Sequence, residues 1–148
     1  MKILCSHALI CASLTMSAAA SAQPITAEKA PANLKGDRCG PAQCTIVVSV
    51  TECNKPGGVR IDKPLVRFDD SGWITWKIDT PGFAFADAAV WIEGDDPSDT
   101  VFEQQTKTAP NEVKLRNRNH VMGEFDFRYT LQVQGCVPVQ AWIRNVAL

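Results

Sequence analysis

The chain has 148 residues, 45% of them hydrophobic and 21% charged, with a net charge of −1 and six cysteines. That length holds one domain with a real core and is short for two. The balance of charge gives no overall basic bias, so nucleic acid is not expected as a partner.

Lys2 begins a positive n-region, an apolar run follows (8–16), and Ala20-Ser21-Ala22 fits a small-x-small cleavage site. Residues 1–22 therefore read as a signal peptide, with an apolar run too short to cross a bilayer. Cys11 follows Ile10, a poor setting for lipoprotein cleavage. The expectation is an exported protein, periplasmic or secreted, and not membrane-spanning. "QPITAEKAPANLKGDR" (23–38) has little periodicity and reads as a flexible leader, which places the domain at 39–148.

Strand signals dominate from there on. "TIVVSVT" (45–51) is rich in β-branched residues, and "NKPGG" (54–58) is a turn. "VRI" and "LVRF" flank Asp62-Lys63-Pro64, and "WITWKI" (73–78) puts Ile74, Trp76 and Ile78 on one face. "AAVWIEG" (88–94), "VFEQQ" (101–105), "EVKLRNR" (112–118), "GEFDFRYTLQV" (123–133) and "QAWIRNV" (140–146) complete the set. Many short strands between Gly and Pro turns predict an all-β fold: an antiparallel two-sheet Greek-key sandwich, cupredoxin-like or immunoglobulin-like, of about 7–9 strands.

Cys5 and Cys11 leave with the signal peptide, and Cys39, Cys44, Cys53 and Cys136 remain. An even count in an exported chain points to disulfides before metals. Cys44 and Cys53 bracket the strand at 45–51. At about 3.3 Å per residue they stand roughly 30 Å apart, beyond the ~4.4–6.8 Å Cα reach of a disulfide. Two of the three pairings survive, and the preferred one is Cys39–Cys44 with Cys53–Cys136.

"GEFDFRY" (123–129) resembles the penultimate strand of small blue-copper proteins of the plastocyanin type, and "WITWKIDTPGFAF" (73–85) is similar to an earlier strand and turn of that family. The resemblance implies a cupredoxin-like sandwich in a small exported protein of bacterial type. It also places Phe85, Tyr129 and Gln132 where the family has a histidine, the thiolate cysteine and the second histidine. A blue-copper site needs two imidazoles and a thiolate, so no metal and no cofactor are expected. Cys136 lies past the thiolate position and reads as half of a structural tie.

Other constellations are weaker. "CGPAQC" (39–44) begins like a thioredoxin site, but its spacing is Cys-x4-Cys, so a structural loop tie is expected. His120, after "RNRN", would be the only imidazole base outside the signal peptide. "EGDDPSD" (93–99) holds oxygen ligands suited to calcium, without the loop spacing that makes such a site specific. Lys114, Arg116 and Arg118 alternate onto one strand face, where they would meet an acidic partner or guard a sheet edge. Trp73, three residues from the core candidate Trp76, points to the other side, where tryptophan favours recognition.

The functional expectation is a non-enzymatic exported module that binds or supports another protein or envelope component. Two alternatives stand beside it. One is a secreted inhibitor or partner-binding protein using Trp73 and the basic strand. The other is a hydrolase or thiol-redox protein working through His120 or through Cys39 and Cys44.

Overall fold

The structure is a computed structural model and describes residues 28–93 and 101–147. The signal peptide and the acidic stretch after Glu93, with its calcium reading, lie outside the described residues. Ten strands follow one another: β1 (Asp37–Arg38), β2 (Gln43–Val50), β3 (Val59–Ile61), β4 (Leu65–Phe68), β5 (Gly72–Ile78), β6 (Phe85–Ile92), β7 (Thr106–Ala109), β8 (Glu112–Asn117), β9 (Gly123–Val133) and β10 (Val139–Ala147). They form a front sheet ordered β3-β2-β5-β8-β7 and a back sheet ordered β1-β4-β10-β9-β6. Among the described residues there is no helix, and the expected all-β two-sheet sandwich is what the chain forms. Most pairings are antiparallel, but β2–β5, β4–β10 and β1–β4 are parallel.

Alternation builds the core. In β2 the side chains of Cys44, Ile46, Val48 and Val50 turn inward while Gln43 and Thr45 face out. In β5, Ile74, Trp76 and Ile78 are buried and Trp73 is not. Across the sandwich Trp76 meets Tyr129 of β9 edge-on, with ring centroids 5.4 Å apart, a geometry favoured by ring quadrupoles. Phe68 and Ile143 of the back sheet join the same core.

Both preferred disulfides are present, Cys39–Cys44 and Cys53–Cys136, with Cα separations of 5.1 and 4.4 Å. Two such bonds fit an oxidising compartment. The second depends on the turn after β2. Gly57 has φ +78°, and a Cβ at Gly58 would stand 1.6 Å from the Glu52 carbonyl oxygen. Only glycines let this turn close, and its closure brings Cys53 beside Cys136, where the Val137 N–H donates to the Cys53 carbonyl at 2.9 Å.

Three expectations need correction. The stretch 101–105 is not a strand. Val101 and Phe102 plug the core, Phe102 forming one bridge to Asn117, and the neighbouring strand is Thr106–Ala109. Gln105 instead seals β6: its amide accepts from Val90 N at 2.9 Å and donates to Val90 O at 3.2 Å, as a further strand would. The basic strand β8 is not an edge, because it lies between β5 and β7. The edge-guarding charge is Lys107 of β7, whose ammonium donates to the Phe85 carbonyl at 2.8 Å. The domain also begins before Cys39. Asp37–Arg38 pairs with β4, and residues 28–34 lie on the back sheet, burying Ala30 against Leu65 and Trp142. The physical reason is a salt-bridged seat: Asp126 accepts from Ala30 N at 2.9 Å while Arg144 grips the same carboxylate at 2.7 and 2.9 Å.

Candidate binding face

The two outer faces of the sandwich differ. The back sheet would expose Trp142, an apolar surface that residues 28–34 cover together with Leu65 and the Arg128 guanidinium, 6.0 Å from the indole centroid. Glu28 and Glu93 both pair with Arg128 there, at 2.8 Å. The front sheet has no such cover from the described residues, and its strands set out their side chains in rows.

One row runs Gln43, Trp73, Arg116 across β2, β5 and β8, and the next runs Thr45, Thr75, Lys114 and Thr106. Trp73 is 40% exposed. The Arg116 guanidinium carbon sits 5.7 Å from its ring centroid, a cation–π contact that holds both groups in place. Gln43, Trp73, Thr75 and Lys114 line a hollow of about 240 Å³. Gln43 donates to Thr75 at 3.2 Å, so the polar floor of the hollow is held by the sheet itself.

The charges of this face are mostly positive. Arg60 and Lys77 join Lys114 and Arg116, against the acids Glu103 and Glu112. Glu103 lies between Arg116 and Arg118, at 3.9 and 3.3 Å, and Lys114 stands 3.5 Å from Glu112. Glu112 is held below the usual carboxylate range, first by the hydroxyl of Thr108 and then by Lys114, so it stays ionised. These exposed pairs are individually weak and leave the face with a net positive charge.

Of the residues singled out in the sequence, Trp73, Lys114 and Arg116 come together. Arg118 lies just past β8 and turns to the end of the sandwich, where it lines a second cavity. Cys39 and Cys44 are bonded to each other, so neither offers a thiolate in this state. His120 is exposed on the loop before β9. Phe85 and Tyr129 are wholly buried, and the Gln132 amide donates to the carbonyls of Val133 and Cys136 at 2.8 and 2.7 Å.

Several features were not foreseen. Trp91 is 73% exposed on β6; its strand alternation was the available signal. Asn117 and Asn145 form a reciprocal buried amide pair at 2.6 and 3.0 Å, and nothing in their local sequence announces it. No protein-family model matches the chain, and no curated protein matches it.

Proposed function

We propose that the chain is an exported, non-enzymatic sandwich of cupredoxin-like type that binds an acidic protein partner in the envelope or outside the cell through its front sheet. The observation that carries this reading is the cationic front face, where Trp73 lies under Arg116 beside Lys114; on the back sheet Trp142 is covered by residues 28–34, and the exposed Trp91 stands on the edge strand β6. Tryptophan and arginine are among the residues enriched at interface hot spots. The surrounding cations attract an acidic surface and select against a basic one. The two disulfides and the signal-peptide-like start support export.

The test is retention of envelope proteins on the immobilised mature protein, followed by association kinetics with the protein retained. The expected partner is acidic. Association should slow markedly for Arg116→Glu and when salt rises from 0.1 to 1 M, as the Debye length falls from ~10 to ~3 Å. Trp73→Ala should instead speed dissociation, since an anchor acts mainly on the off-rate. Retention of nothing, or of a protein whose kinetics ignore both substitutions, would overturn the reading.

A further inference from the structure

A second cavity, of about 600 Å³, opens at the end of the sandwich. It brings together residues from far apart in the chain: Arg38 of β1, Arg67 of β4, and Arg118 and Asn119 after β8. Asp69 and Asp70, in the turn after β4, also line it. Asp69 is already engaged: Arg38 and Arg67 donate to its two oxygens from Nε at 2.5 and 2.9 Å. These two arginines hold its carboxyl below the usual range, Arg67 most strongly. Arg118 spends its Nε on Glu103 at 3.3 Å. Among the described residues the terminal Nη groups of Arg67 and Arg118 make no hydrogen bond. Three guanidinium groups and two carboxylates leave the lining positive.

The floor of this cavity is built. Asn119 is one of the few buried polar residues, and it alone among non-glycine described residues has a positive φ, +42°. Its N–H donates to Asn117 Oδ1 at 3.0 Å and its Nδ2 donates to the Phe68 carbonyl at 3.3 Å. The buried Asn117–Asn145 pair locks Asn117 in turn. The Phe68 carbonyl can only accept, so the Asn119 atom facing it is Nδ2 and the other is the oxygen. That oxygen, Asn119 Oδ1, is buried and has no hydrogen-bond partner. A buried acceptor left unmade is costly, and a left-handed backbone held by surrounding structure often marks a ligand site.

We propose that this cavity binds a small organic anion with a hydroxyl beside its charged group, of the sugar-acid or sugar-phosphate kind. Carboxylate and phosphate oxygens match the planar forks of Arg67 and Arg118. Asn119 Oδ1 is closed off in the empty cavity, so binding must open the Asn119 turn for the neighbouring hydroxyl to donate to it. Anions without a hydroxyl satisfy the arginines but not the asparagine, and neutral sugars do the reverse. The site is separate from the Trp73 face and does not depend on a protein partner.

The experiment is an NMR titration of the mature, disulfide-intact protein with glucuronate, glucose 6-phosphate, sulfate and glucose. Glucuronate and glucose 6-phosphate separate the carboxylate from the phosphate source. At least one of them should bind saturably and shift the Asn119 amide, with sulfate weaker and glucose inert. Arg67→Gln and Arg118→Gln should each weaken binding about tenfold, the scale of one charged hydrogen bond. Arg67→Lys keeps the charge and loses the fork, so it should also weaken binding and serves if the glutamine variant unfolds. Asn119→Gly keeps the positive φ and should abolish the preference over sulfate while leaving anion binding. No shift at Asn119 with either organic anion, or affinity indifferent to the arginine variants, would overturn the proposal. Sulfate binding as tightly as both organic anions to the wild type would also overturn it.

Discussion

Removing the Cys53–Cys136 bond should destabilise the fold far more than removing Cys39–Cys44. The first bond joins residues 83 apart and the second residues 5 apart. Loop-closure entropy then assigns about 4.5 kcal/mol to the long link and about 2 kcal/mol to the short one at 25 °C. Position sharpens the contrast. Cys53 lies in the turn after β2 and Cys136 in the turn between β9 and β10, so their bond ties the front sheet to the back sheet. The short bond joins the same two sheets, but its ends are already neighbours along the chain through residues 39–44. The appropriate variants are Cys53→Ser with Cys136→Ser, and Cys39→Ser with Cys44→Ser, so that no odd thiol is left to reshuffle. At about 4 °C per kcal/mol for a domain of this size, the two midpoints should differ by about 10 °C in thermal melts. Urea titration gives the same comparison as a free energy. Equal midpoints, or a lower one for the variant lacking Cys39 and Cys44, would refute the reasoning.

Tyr129 is the chain's only tyrosine, and its buried hydroxyl makes no well-formed hydrogen bond among the described residues, only a marginal contact with the Trp76 side chain. Tyr129→Phe should therefore leave stability unchanged or raise it in urea titration, by at most ~1 kcal/mol. Burial, first of all, pushes the phenol well above its ordinary value. The folded state thus holds the neutral form, and stability is kept below about pH 10 and lost above it as the unfolded chain ionises. Absorbance at 295 nm should report phenolate only together with unfolding; phenolate in a protein with intact near-UV dichroism would contradict this. Asp126 works with the opposite sign. Burial acts to raise its pKa, but the Arg144 hydrogen bonds and the Ala30 N–H outweigh it and hold the carboxyl low. Its contribution is present above the ordinary carboxylate range and is lost as pH falls through the depressed folded value. Hydrogen exchange at the Ala30 amide should accelerate in Asp126→Asn at neutral pH, and in the wild type only in acid; an amide equally protected in the variant would remove Asp126 from the seat of residues 28–34.

What the sequence determined by itself lies along single strands. A pleat alternates side chains whatever surrounds it, so the split of Trp73 outward from the inward set Ile74, Trp76 and Ile78 was legible from spacing. A strand's fixed rise kept Cys44 and Cys53 apart and so removed one of the three cysteine pairings, while the fold chose between the other two by setting Cys39 beside Cys44 and Cys53 beside Cys136. Tertiary structure alone decided which strands became neighbours. That placed β8 inside its sheet and made Lys107 of β7 the edge guard. It also used Gln105 as a side-chain substitute for a strand, ending the apparent strand at 101–105. The seat of Ala30 on Asp126 spans 96 residues, and the Asn119 bond to Phe68 spans 51. Contacts that distant depend on pairings such as β1 with β4 and β5 with β8. They leave no periodic trace in the local sequence, so Arg38, Arg67 and Arg118 meet in one cavity only once both sheets have formed.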